Sequence, residues 1–178
     1  MPTYNKATIQ AFLRIVDNPP HNAAKGKAFE ELACYLFSLV PGITITARNE
    51  MNTFATEEID VACRNSEDPT GLRQFPAFFL VECKGWDKPV TSEQVAWFLL
   101  KVEHRGLDFG VLFAANGITG VPEHRSAANF LVSFTLALRK IKMVIITRDE
   151  IEGLNSGEEL ASLIITKVTR LHATGACY

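Results

Sequence analysis

Ala77-Phe78-Phe79-Leu80-Val81-Glu82-Cys83-Lys84-Gly85-Trp86 is an apolar run that ends in two charges. Its β-branched and aromatic residues, bounded upstream by a polar, turn-rich segment, have the length and composition of a buried strand over Pro76–Lys84. Side chains alternate along a strand, so Glu82 and Lys84 share one face, roughly 7 Å apart along it. Val81 and Cys83 share the other face. Burying both charges is costly unless they are paired or hold a cation.

The segment upstream has the same peculiarity. In Glu57-Glu58-Ile59-Asp60-Val61-Ala62-Cys63-Arg64, the apolar residues Ile59, Val61 and Cys63 alternate with Glu58, Asp60 and Ala62. Asn65-Ser66-Glu67-Asp68-Pro69-Thr70-Gly71-Leu72-Arg73-Gln74-Phe75 joins the two strands, and its turn-forming residues predict an antiparallel hairpin. A hairpin symmetrical about Gly71 sets Asp60 opposite Glu82. Two carboxylates and one ammonium then meet at one edge of a sheet. Two facing carboxylates repel, and a hard divalent cation such as Mg²⁺ relieves that repulsion while keeping much of its water. Such a cation activates water and stabilises charge on a phosphate, and a neighbouring lysine orients the water or balances charge. The chemistry expected of the trio is phosphodiester hydrolysis. A salt bridge at an exposed strand end would leave the same signature in sequence.

Outward from these strands, periodicity predicts helices over residues 5–17 and 24–39, and a strand over Ile43–Arg48. Downstream it predicts a helix over 92–105, a strand over Phe109–Ala115, a helix over 122–138, a strand over Lys142–Thr147 and one or two C-terminal helices. Three successive strands followed by alternation imply an α/β fold, a mixed central sheet flanked by helices on both faces.

The 178 residues are 47% apolar and 21% charged with a formal net charge of −2, the make-up of one folded domain and not of a disordered chain. Near-neutral charge excludes a basic whole-protein field, so any nucleic acid must be held by a local patch. No run of about 18 uncharged apolar residues is present, so no membrane span is expected. The first ten residues lack a basic segment followed by an apolar one, so a cytoplasmic location is the expectation. Cys34, Cys63, Cys83 and Cys177 form no C-x-x-C pair, and His21, His104, His124 and His172 lack ligand spacing. Neither zinc nor a disulfide framework is expected.

Asp60 followed by Glu82-Cys83-Lys84 resembles the signature of the PD-(D/E)XK nuclease superfamily, and within it the Mrr-like restriction endonucleases. Lys25-Gly26-Lys27-Ala28-Phe29-Glu30-Glu31-Leu32 is similar to the opening of that family's first core helix. Leu112–Thr119 and Ile145–Glu150 look like its second half, and the α-β-β-β-α-β order fits its restriction-endonuclease-like core. The resemblance spans residues 24–155, with an N-terminal helix and linker over 1–23 and a C-terminal helix and tail over 156–178. It implies a metal-dependent DNA endonuclease of the restriction and defence type. Asp60 and Glu82 would be ligands of Mg²⁺ or Mn²⁺, Lys84 the catalytic lysine, and Glu30 a helix-borne acid reaching the metal directly or through water. The residue before Asp60 is Ile59 where the family pattern has proline, which lowers the specificity of the match.

Other residues admit two readings. Glu30 and its neighbour Glu31 both lie at the edge of an apolar helical stripe, and the motif favours Glu30. Gln94 matches a family glutamine near the active site, but Thr91-Ser92-Glu93-Gln94 is also a capping box. Glu58 is an extra ligand or a solvated acid. Lys25, Lys27, Lys88, Lys101, His104 and Arg105 flank the site and are candidate DNA-phosphate contacts, though such residues are more often plain surface charge. Trp86 would stack on a base or brace the groove, or is simply half-buried packing. Asn116–Gly120 reads as a turn, and His124-Arg125 as a helix start with phosphate contact as its only chemistry. With no appended recognition domain visible, specificity would come from core loops, the N-terminal helix or a partner protein. One site per chain suits a homodimer. Two other functions fit the same residues: a Holliday-junction resolvase-like nuclease, or a non-catalytic nucleic-acid-binding module of this fold.

Overall fold

The computed structural model describes residues 3–52, 55–119 and 127–175. In chain order the elements are α1 (Lys6–Asp17), α2 (Asn22–Ser38), β1 (Ile43–Met51), β2 (Glu58–Asn65), β3 (Phe78–Lys84) and α3 (Ser92–His104). They continue with β4 (Phe109–Ala114), α4 (Ala127–Arg139), β5 (Lys142–Ile146), α5 (Arg148–Gly153) and α6 (Gly157–Thr174). The five strands lie side by side in sequence order. β1, β2 and β3 form an antiparallel meander, and β4 and β5 add parallel to β3. The sheet is therefore mixed, with β3 as the strand where direction changes.

Alternation along the strands divides the core into two apolar layers. Val61, Cys63, Phe79, Val81, Val111, Phe113, Val144 and Ile146 face α1, α2 and α6, where Ile9, Leu13, Phe29, Leu32, Phe37 and Ile164 meet them. Leu80, Leu112, Ala114, Met143 and Ile145 face α3 and α4, represented by Val95, Phe98, Leu99, Val102 and Val132. All of β4 is buried, which is why its sequence, FGVLFA, is apolar throughout rather than alternating. At α1 and α6 a side chain satisfies the free N–H groups of the first turn. Asn5 accepts from Ala7 and Thr8 before α1, and Ser156 accepts from Glu159 at α6.

The β2–β3 connection is long but anchored. Leu72 and Phe75 are buried, and the Asn65 side chain donates to the carbonyls of Leu72 and Phe75 at 2.8 and 3.1 Å. Gly71 lies against the Pro41 carbonyl so closely that a Cβ there would come within 2.0 Å of its oxygen. Only glycine fits.

One boundary differs clearly from expectation. β1 runs on to Met51 rather than stopping at Arg48, because it is the sheet's edge strand. Its polar end, Arg48 to Met51, is exposed yet still pairs with Val61, Ile59 and Glu58. α4 is described from Ala127, and His124-Arg125 lies outside the described residues. No helix among the described residues is long and apolar enough to cross a membrane.

Candidate active site

The β2–β3 register is Val61 with Val81, Ala62 with Leu80, Cys63 with Phe79 and Arg64 with Phe78, centred on Gly71. One step further along the same register brings Asp60 to Glu82. There the ladder changes character. Instead of meeting a carbonyl across the sheet, the Cys83 amide donates to Asp60 Oδ2 at 2.7 Å. The aspartate is thus clamped to the strand that carries its partner acid.

Both acids are buried, Asp60 at 9% and Glu82 at 4% exposure. Glu82 receives two lysines. Lys84 Nζ lies 2.8 Å from Oε1, and Lys101 Nζ on α3 donates to Oε1 and Oε2 at 3.1 and 2.8 Å. Two carboxylates and two ammoniums make a buried cluster with no net formal charge, the arrangement that buried charge requires. Lys84 is the member nearest solvent, with its Nζ 5.4 Å from the ring centre of exposed Trp86. The ring braces the ammonium by a cation–π contact.

Burial, reinforced by repulsion from Glu82, pushes the Asp60 carboxyl up to about 6. Burial alone would press the Lys84 ammonium down, but Glu82 and then Asp60 outweigh it and hold its pKa above the ordinary lysine range. Burial also pushes the Cys83 thiol well up, so this cysteine is no nucleophile.

α2 approaches from the other face. Gly85 ends β3 beneath Phe29, and a Cβ on Gly85 would lie 3.0 Å from the Phe29 Cβ. This contact brings the next residue, Glu30, into the electrostatic reach of Lys84 and Glu58. Burial raises the Glu30 carboxyl against a hydrogen bond from Asn49. Glu31 is instead paired with Arg48 of β1 at 2.6 Å. Glu58 at the start of β2 is exposed.

Asp60 and Glu82 supply hard oxygen donors, and their repulsion is what a divalent cation would relieve, so the donor set fits Mg²⁺ or Mn²⁺. Among the described residues, no group of three or more His, Cys, Asp or Glu side chains stands close enough to cage a metal. Glu30 therefore does not join the two strand acids as a third close donor. The site suits an ion that keeps several waters.

The family model described as restriction endonuclease, the Mrr catalytic domain, matches residues 21–151. The chain belongs to the Mrr restriction endonuclease family. The match includes every residue of the cluster and the whole sheet. No curated protein matches the chain.

Within this Mrr domain several residues expected near DNA are engaged elsewhere. Lys101 is no surface cation: it is 5% exposed and bound to Glu82. Arg105 and His104 close on Glu57, at 2.6 and 2.7 Å, tying the end of α3 to the start of β2. Lys25 pairs with Asp87. Gln94 closes the capping box with Thr91, its Oε1 accepting from the Thr91 amide at 3.1 Å, so its carbonyl is committed to the helix end. Lys27, Lys88 and Trp86 are exposed, and neither lysine forms an ion pair among the described residues.

Lys101 and Glu57 escaped the sequence reading as site and anchor. Lys101 did carry a signal. It sits in Trp97-Phe98-Leu99-Leu100-Lys101-Val102, and a lysine inside so apolar a helical run implies a buried partner. Glu57 carried none, because its partners are 47 and 48 residues away.

Proposed function

We propose that this Mrr domain is a divalent-cation-dependent endonuclease that hydrolyses DNA phosphodiester bonds, in a restriction or defence role. The observation that carries this reading is the buried carboxylate pair Asp60 and Glu82 on adjacent strands, with Lys84 on the solvent side of Glu82. Asp60 and Glu82 would hold Mg²⁺ or Mn²⁺. When bound, the cation lowers the pKa of a coordinated water and stabilises charge developing on the phosphate. Lys84 is the first ammonium a phosphate would meet. From there it orients the attacking water and offsets negative charge in the transition state. The Cys83 amide keeps Asp60 in place while its charge is shared. Glu30, on α2 within electrostatic reach of Lys84, would act through water. Lys27, Lys88 and Trp86 supply backbone and stacking contacts. With one such cluster per chain, cutting both strands of a duplex calls for two copies.

The test is cleavage of supercoiled, linear, single-stranded and four-way-junction DNA with Mg²⁺, Mn²⁺ or EDTA, comparing the native chain with Lys84→Ala and Asp60→Ala. Metal-dependent cutting should fall at least about 100-fold in both variants. Preference for the junction would redirect the reading to a resolvase. DNA binding without cleavage on any substrate, or equal cutting by the variants, would overturn it.

A further inference from the structure

Glu82 has more cationic partners than a metal ligand can keep. Its Oε1 takes both Lys84 and Lys101, and its Oε2 takes Lys101. The two lysines differ in freedom. Lys84 stands at the end of β3 with its side chain 22% exposed, and it can move into water. Lys101 cannot. Its side chain is 6% exposed, and its helix is fixed to the sheet through Val95, Phe98, Leu99 and Val102. Among the described residues the other acids near Lys101 are engaged elsewhere: Glu57 by His104 and Arg105, Glu103 by Arg139, and Asp60 by the Cys83 amide. Asp60 faces Lys101 as well as Lys84, and it too feels the Lys101 charge.

We propose that Lys101 is a positioning residue that sets the divalent-cation affinity of the site, a role that rests on the metal-binding reading of Asp60 and Glu82. In the metal-free protein Lys101 neutralises Glu82 and holds its carboxylate still. When a cation enters, Lys101 stays as a fixed positive charge across the same carboxylate and opposes it. The site is thereby stable without metal and weak for metal. A lysine with a purely structural role would do the first and not the second.

The experiment is Mn²⁺ titration of the full chain by calorimetry, checked by electron paramagnetic resonance of free Mn²⁺. It compares the native chain with Lys101→Met, Lys101→Gln and Asp60→Asn, with circular dichroism to establish folding. Lys101→Gln keeps a neutral donor to Glu82 and covers the case in which Lys101→Met does not fold. Removing the charge should tighten Mn²⁺ binding by on the order of tenfold, since the repulsion acts at close range in a buried site. The metal-free Lys101 variants should melt lower than the native chain and gain more from Mn²⁺ than it does. Native binding that Asp60→Asn abolishes, with equal or weaker binding in the Lys101 variants, would overturn the role of Lys101 and leave the metal site standing. No Mn²⁺ binding in any chain, or binding indifferent to Asp60→Asn, would overturn both.

Discussion

Asp60 is held charged at neutral pH against its surroundings. Burial and then Glu82 raise its carboxyl from 3.8 to about 6, so the folded chain binds its proton more tightly than the unfolded chain does. Stability therefore falls as pH rises from 3.8 through about 6, and the full penalty stands above that. Asp60→Asn, which can still accept from the Cys83 amide, should stabilise the metal-free chain by on the order of 2 kcal/mol at pH 7.5. Urea denaturation in EDTA measures this, and the gap should narrow as pH falls toward 4. A less stable variant at pH 7.5 would mean that the two lysines outweigh burial. At this scale the sequence was informative where alternation and a turn centre combine: the Gly71 symmetry that pairs Asp60 with Glu82 continues the observed register. It was uninformative for Lys101, since a charge on a helix reads as solvated unless the opposing strand is known.

α3 bears on the site at both ends. At its start the Thr91–Gln94 box holds the first turn. Gln94→Ala should lower stability by about 0.5–2 kcal/mol while leaving the cleavage rate near native, because the side chain caps the helix. Loss of cleavage with stability intact, measured by denaturation alongside the DNA assay, would return Gln94 to the active site. At the other end, Arg105 and His104 outweigh the effect of burial and hold the Glu57 carboxyl below the usual carboxylate range. This interaction contributes stability above 4.5 that is lost as pH falls below it. Glu57→Gln should therefore cost roughly 1–3 kcal/mol at pH 7 and flatten the acid limb of the stability curve. Most elements were legible because each couples a clear period to a stop signal. β1 was cut short because an edge strand keeps its ladder while its side chains turn polar, which in sequence looks like a loop.

At the scale of the whole molecule, the cations beside the site are largely spent internally. The chain carries a net −2, and Lys25, Lys101, His104 and Arg105 are all engaged by carboxylates. Among the described residues beside the site, Lys27 and Lys88 form no ion pair, and Lys84, though bound to Glu82, is partly open to solvent. These three would meet phosphates, so binding should depend only mildly on salt. The slope of log K against log salt should be about −3 per chain, measured by fluorescence anisotropy in EDTA. A slope beyond about −6 would mean that DNA breaks the internal pairs. The mixed sheet and its helical layers were readable from the order of the apolar segments, because a meander followed by crossovers leaves few topologies. The allocation of cations was not, since it depends on which surfaces the finished fold brings within reach.

The bond from the Cys83 amide to Asp60 makes one backbone proton a spectroscopic probe of the site. A short, buried, charge-assisted hydrogen bond shifts its proton resonance far downfield and slows its exchange with solvent. In a nitrogen-15-labelled chain this signal should move upfield as Asp60 takes up its own proton near pH 6. Paramagnetic Mn²⁺ bound there should erase it, and diamagnetic Mg²⁺ should displace it without broadening. A single resonance thus follows ionisation, metal loading and the integrity of the β2–β3 clamp with no DNA in the tube.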